Sequence, residues 1–531
     1  MILLLLILIL LVGGLFAWLS GLVNAALPRI VALLALFADA ALLLYVYMNL
    51  PMPADGSFAL DFCIPWITRY GISLHFALDG LSLAMLALTV MLGIVAVLAS
   101  WKDSIKNPGF FHLNILSALA GIAGVFLSMD LFLFYFFWEL MIIPVFFIIG
   151  IWGSENRTYA ANKFFIFTQA GGLLMFVSIL ALYFIHGDIT GIYTFNYIQL
   201  LGTEIPLHLS FMLMLGFLAG FFVKLPVIPF HSWLPDAYSE APVAGSIILA
   251  GILSKTAAYG LLRFVVPLFP QASVAFGPFG MMLAVVSILY GAKLAFAQTD
   301  LKRLIAFSSI SHMGFILLGV YAFNTMAFQG VLMQMIAHGI SIAALFVIAS
   351  QLQARLGTRD IDKMGGLRNR LPWLGSMGLV FALASLGMPG MGNFIAEFLI
   401  LGGAFKTSIL MSCLASLGLI AATLYSLRIV QKIFLGKEEN TAVALQRVTL
   451  REKTITGALT IMIIFIGLYP RIILKTGKAA LNKSLESVNL NSQNEFTTFF
   501  YGNIYNVKPA ATNQEQPTES VVPESQKITT N

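Results

Sequence analysis

The chain has 531 residues, 59% of them hydrophobic and only 10% charged, with a formal net charge of +6. That balance excludes a soluble globular domain, and the small positive excess lies in loops, not in a basic surface for nucleic acid. Two cysteines, Cys63 and Cys413, cannot ligate an iron–sulfur cluster, and a disulfide is not expected because Cys413 lies inside an apolar run.

Apolar runs long enough to cross a hydrocarbon core of ~30 Å recur from end to end. They are continuously apolar, whereas a membrane β-barrel would alternate. The fold class is therefore an all-α polytopic membrane protein. The first run, MILLLLILILLVGGLFAWLSGLV, could pass for a signal peptide with VNA at the cleavage point. No Lys or Arg precedes it and it is long enough to span, so a retained helix is expected.

In chain order the predicted spans are 2–20, 28–50, 80–100, 112–128, 131–152, 163–185, 209–236, 242–266, 276–297, 302–322, 326–352, 374–404, 409–434 and 453–470. That makes about fourteen transmembrane helices. Span 209–236 is broken by Pro226, Pro229 and Pro235, and span 374–404 by LGMPGMGNF, which holds Pro389 and Gly390. The breaks lie five spans apart. Five is odd, so spans 4–8 and 9–13 read as two inverted five-helix repeats, each with one broken helix. The resulting divisions are 1–110 for helices 1–3, 111–270 for the first repeat and 271–436 for the second. Residues 437–470 hold the last helix, and 471–531 form a polar tail whose end reads as disordered. Eighteen Lys and Arg fall in odd-numbered loops and three (Arg69, Arg263, Lys406) in even ones, so odd loops face the cytoplasm and both termini the opposite side.

Six ionisable residues sit inside spans with apolar neighbours on both sides: Glu139, Lys224, Lys255, His312, His338 and Glu397. A charge at mid-bilayer costs ~3 kcal/mol even on lenient insertion scales, so these groups must face the interior, pair, or meet water. A plainer reading stays open for each. Glu139 and Lys224 can be a static ion pair, and a lone histidine can be a neutral imidazole bonded to a helix carbonyl. Metal binding by the histidines is not expected, since no carboxylate or thiol lies near either in sequence. Arg263 and Lys293 lie near span ends and can snorkel. Taken together, acids, cations and histidines strung over six spans are what proton transfer across a membrane needs. The prolines after Lys224 free backbone groups that need partners, which places that break at the interior or a cavity where water can reach the ammonium.

FFVKLPVIPFHSWLPDAYSEAPVAGSIILAGILSKTAAYGLLRF, AFAQTDLKRLIAFSSISHMGFILLG, MGGLRNRLP and MPGMGNFIAEFLIL resemble the antiporter-like membrane subunits of respiratory complex I, NADH:quinone oxidoreductase, and of Mrp-type cation/proton antiporters. The resemblance covers roughly residues 75–435. Glutamate at 397, where pumping paralogues usually carry lysine, and ISLHFALDGLSLAMLALT resemble the M-type branch. The resemblance implies Glu139 and Lys224 as a coupling pair, Lys255 as central relay, His312 and His338 as carriers and Glu397 as exit residue. It implies no cofactor in this chain. NADH, FMN, iron–sulfur clusters and quinone would belong to partner subunits, beside neighbouring antiporter-like subunits in a bacterial inner membrane. The tail beyond about residue 508 departs from the pattern. An Mrp-type antiporter subunit and a static membrane scaffold remain the alternatives.

Overall fold

The computed structural model describes residues 1–101, 105–437 and 445–492, with only the backbone for 489–492. The end of the tail, expected to be disordered, lies outside the described residues. Helices α1 (Ile2–Val23) and α2 (Leu27–Asn49) precede an antiparallel hairpin of β1 (Leu60–Ile67) and β2 (Ile72–Leu78). Then follow α3 (Gly80–Ala99), α4 (Pro108–Leu127), α5 (Leu131–Leu140), α6 (Ile142–Trp152), α7 (Arg157–Thr190), the short α8 (Tyr197–Leu200) and α9 (Leu207–Lys224). Next come α10 (Trp233–Glu240), α11 (Val243–Ile248), α12 (Ser254–Gly260), the one-turn α13 (Val266–Leu268), α14 (Pro270–Phe296), α15 (Leu301–Val320) and α16 (Thr325–Leu356). The chain continues through the short α17 (Leu367–Arg370), α18 (Pro372–Ser385), α19 (Gly392–Thr407), α20 (Ile409–Ile429), α21 (Leu450–Leu468) and α22 (Arg471–Ser492).

Among the described residues, twelve helices are long and apolar enough to cross a membrane, or thirteen if the bent pair α21 and α22 is one span. The sequence predicts about fourteen. One difference falls at 374–404, which is two shorter helices, α18 and α19. Gly387 and Gly390 between them adopt left-handed φ of 80° and 92°, a turn that glycine makes without a Cβ penalty. Another falls at the tail. It does not simply turn polar at 471 but bends by 66° into α22. Ala480, Leu481, Leu485 and Val488 are buried there, at the three- and four-residue spacing of an amphipathic helix.

The first break also lies where the prolines stand. Helix α9 ends at Lys224, and the chain restarts as α10 at Trp233. Between α11 and α13 the helix is wound as π-turns at Leu249–Leu253 and Leu261–Val265, on either side of α12. The GFLAG pattern packs α9 onto α7: a Cβ on Gly220 would stand 3.2 Å from the Met175 Cβ.

One backbone device occurs twice. Asp130, just before α5, caps that helix by accepting from the Phe132 and Leu133 amides at 3.0 and 3.1 Å. Its flanks make a short antiparallel bridge: Leu131 N–H donates to Phe195 O and Tyr197 N–H to Met129 O. Asp300, just before α15, accepts from the Arg303 amide at 3.0 Å. Its flanks do the same, with Leu301 donating to Arg359 O and Ile361 to Thr299 O. Asp130 also takes hydrogen bonds from Ser73 N and Oγ at 2.9 and 3.1 Å, which fastens the β2 strand to α5.

Asp130→Ala orphans these buried donors and should destabilise the fold by at least about 2 kcal/mol. Asp130→Asn, which keeps an acceptor and the cap, should lose less. Subunit content in membranes and its thermal midpoint measure this; wild-type values for the alanine variant would refute it.

Candidate functional site

The site draws on four helices, one of them beside a π-turn. Lys255, His312, His338 and Glu397 lie on α12, α15, α16 and α19, and each is at most 2% exposed. Lys255 Nζ lies 2.8 Å from His338 Nδ1 and 3.3 Å from Ser254 Oγ, and it donates to the Ala250 carbonyl. Ala250 belongs to the first π-turn, whose altered winding makes a carbonyl available to the ammonium. The His338 and His312 rings stand 5.3 Å apart, centroid to centroid, tilted by 50°. His312 Nδ1 lies 2.9 Å from Glu397 Oε1, and its Nε2 lies 3.2 Å from both Ser385 Oγ and Tyr425 Oη.

His312 therefore joins Glu397 on α19 to Ser385 on α18 and Tyr425 on α20. The other Glu397 oxygen, Oε2, and His338 Nε2 are buried without a hydrogen-bond partner. Oε2 sits over Gly387, where a Cβ would approach to 2.9 Å. A cavity of about 280 Å³ lies beside Glu397, lined by Leu386, Gly387, Phe394 and Thr423 among others.

The other end is different. Lys224 closes α9 and is fully buried. Its Nζ stands 3.4 Å from the centroid of the Trp138 ring and 3.4 Å from the Trp138 carbonyl oxygen. A cation over an indole face gains ~2 kcal/mol or more when desolvated. Glu139 is half-buried on α5, with Tyr135 and Gln169 as polar neighbours, and its Oε1 has no hydrogen-bond partner.

Residues 128–424 match the membrane-domain model of the NADH:quinone oxidoreductase/Mrp antiporter family. The chain belongs to that family. Subunit M of NADH-quinone oxidoreductase from Pseudomonas aeruginosa is 49% identical over 489 residues, covering 90% of this chain and 96% of that protein. The subunit M of Escherichia coli strain K12 is 47% identical over 488 residues, with the same coverage. Among solved structures, a chain of respiratory complex I from Thermus thermophilus with bound NADH superposes with a TM-score of 0.83 at 29% identity, covering 92% of this chain and all of that one. A chain of the Mrp complex from Dietzia sp. DQ12-45-1b gives 0.80 at 20% identity, covering 92% and 98%, a likeness of fold alone.

Within this antiporter-family fold, four of the six predicted groups lie in one row, as two hydrogen-bonded pairs whose histidine rings stand 5.3 Å apart. The fifth and sixth, Glu139 and Lys224, do not close into a direct ion pair. The reason is helical phase: Trp138 and Glu139 are adjacent on α5 and point about 100° apart. Trp138 takes the place against Lys224, and Glu139 turns toward α7, where a Cβ on Gly172 would meet its Oε1 at 2.4 Å. Arg263 needs a second correction. It does not snorkel but is buried in an ion pair with Asp79. Sequence reading missed Trp138, Ser385, Tyr425 and Asp79. The one available signal was Asp79, an acid directly before an apolar run, which is the pattern of a helix cap.

If the Trp138 ring solvates the Lys224 ammonium, Trp138→Phe should keep most proton pumping and assembly, while Trp138→Leu should lose much of both. Pumping per assembled complex is the readout. Equal behaviour of Phe and Leu would show that the ring face is irrelevant.

Proposed function

We propose that this chain is the proton-translocating membrane subunit of a bacterial NADH:quinone oxidoreductase, and that protons move along Lys255, His338, His312 and Glu397. The observation that carries this is the row itself: four buried titratable groups from four helices, with hydrogen bonds joining Lys255 to His338 and His312 to Glu397. An imidazole can take a proton at one nitrogen and release it from the other. His338 takes one at Nδ1 from the Lys255 ammonium, leaving a neutral amine, and its unpartnered Nε2 is the nitrogen that releases it. The 5.3 Å step to His312 then needs a water or a ring movement. His312 delivers to the Glu397 carboxylate, and the free Oε2 beside the small cavity is the outlet.

Glu139 and Lys224 act on this row through charge. The chain carries no cofactor in this reading. NADH, FMN, the iron–sulfur clusters and quinone belong to partner subunits, and electron transfer there drives the protons here. The neighbours are other complex I membrane subunits, above all the antiporter-like ones, in the inner membrane bilayer. The Lys and Arg bias sets odd loops in the cytoplasm and both termini in the periplasm. Two inverted repeats, 111–270 and 271–436, follow residues 1–110. The twin Asp130 and Asp300 bridges and the two breaks, each preceding or following a charged residue, support that division.

The test is proton pumping in membrane vesicles at matched complex content. Glu397→Ala should lose most pumping, since no group there can then hold the proton. Glu397→Lys should keep appreciable function, because an ammonium can also load and release one. Lys255→Ala should also stop pumping in an assembled complex. If Glu397→Gln pumps like wild type while Glu397→Lys is dead, the acid is structural and the outlet lies elsewhere.

A further inference from the structure

Beyond Lys255, polar side chains continue along the same helix toward a cleft. On the helix from Val243 to Leu268, Tyr259 and Arg263 follow Lys255 at intervals of four, so successive turns stack them. Tyr259 Oη donates to Phe126 O at 2.9 Å, lies 3.2 Å from Ser82 Oγ, and accepts from Arg263 Nε at 3.3 Å. Arg263 pairs with Asp79, and both side chains are almost fully buried. Arg263 also lines a cleft of about 1010 Å³ among Ser57, Glu204, Gln271, Lys483 and Glu486. Those residues lie in even-numbered loops or after the last span, so the cleft opens toward the face assigned above to the termini.

We propose that Arg263, held by Asp79, is an electrostatic barrier that keeps protons at Lys255 from leaking through Tyr259 into this cleft, so that they leave by Glu397 instead. The proposal rests on the proton row above. Physically, a fixed guanidinium beside a narrow polar path repels an arriving proton, as positive groups do in pores that exclude protons. The pair is held at both ends. Asp79 caps α3 by accepting from the Ser82 amide at 2.9 Å, and the Arg263 segment is pinned by its π-turn. Lys255 itself is turned the other way, toward His338 and Ala250. A static ion pair needs none of this placement between a relay lysine and an open cleft.

The experiment uses the whole complex in liposomes with electron transfer blocked by a quinone-site inhibitor, and follows the decay of an imposed pH gradient. Arg263→Gln removes the guanidinium and keeps a side chain that can hydrogen-bond to Asp79. It should raise passive proton leak roughly tenfold, the factor that a small loss of barrier gives. Adding Tyr259→Phe should return the leak toward wild type, since the hydroxyl is the carrier. Tyr259→Phe alone, which removes only that hydroxyl, should assemble and pump normally. Wild-type leak in Arg263→Gln, a leak untouched by the added Tyr259→Phe, or loss of pumping in Tyr259→Phe alone each overturns the proposal. Failure of the underlying row reads out separately, as normal pumping in Lys255→Ala. If Arg263→Gln does not assemble, Arg263→Gln combined with Asp79→Asn, which leaves no unpaired buried charge, is measured in the same way with the same expected and overturning results.

Discussion

The structure is governed by the free energy of keeping ammonium and carboxylate groups inside an apolar bundle. A regular helix has no backbone group to spare for them, because every interior carbonyl is already bonded. Three buried charges, Lys224, Lys255 and Glu397, therefore stand at or beside a place where the helix is interrupted. Lys224 is the last residue of α9, just before the prolines. Lys255 reaches a carbonyl in the first π-turn. Glu397 lies above the Gly387–Gly390 turn that divides α18 from α19. The breaks and the charges are one feature: the irregular backbone supplies the polar environment, and the surrounding bundle hides the irregularity from lipid.

The two ends of the site solve the same problem with different chemistry. The Trp138 ring lowers the energy of the Lys224 ammonium but cannot accept its proton, and the nearby carbonyl cannot either. Lys255, by contrast, faces an imidazole nitrogen, and the groups beyond it can all take and give protons. So the Lys224 end is suited to sensing charge, with Glu139 turned aside as a second, separately placed charge. The Lys255 end is suited to carrying protons. The asymmetry follows from which residue fills the space opposite each lysine.

Sequence made the architecture largely legible, because hydropathy and proline act locally and leave continuous marks on the chain. Both breaks and all six intramembrane charges could be named that way. What the chain order hides is contact. Glu397 stands 2.9 Å from His312 although 85 residues separate them. Proximity in sequence was therefore no guide to the carboxylate beside that histidine. That Glu139 and Lys224 make no direct ion pair was hidden for a related reason: composition says that an acid and a base are present, but helical phase decides which face each occupies. Trp138 and Tyr425 were hidden because an aromatic in an apolar run looks like core until its partner is seen. Helix α22 was missed because a polar, amphipathic segment carries little hydropathy.

The link between the broken helix and the rest lies on the odd-loop face. Helix α10 follows the Lys224 break directly, and the Trp233 indole donates to Val223 O at 2.8 Å, fixing α10 to the end of α9. One turn apart on α10, Asp236 and Glu240 each tie that helix to both halves of the bundle. Asp236 pairs with Lys163 on α7 at 2.7 Å and with Arg303 on α15 at 2.8 Å. Glu240 pairs with Arg359 at 3.1 Å, and Arg359 also holds Asp300 at 3.0 Å. Each such partly exposed pair is worth only ~1 kcal/mol or less on its own. Together they mean that α10 cannot shift alone: any movement at the break breaks pairs to α15 and to the Asp300 bridge. Helix α15 carries His312, so the backbone beside Lys224 and the histidine that contacts Glu397 sit on elements joined by these contacts. Lys224 at the first break and the His312–Glu397 contact in the second half are thereby connected through packed helix, without a direct contact between them.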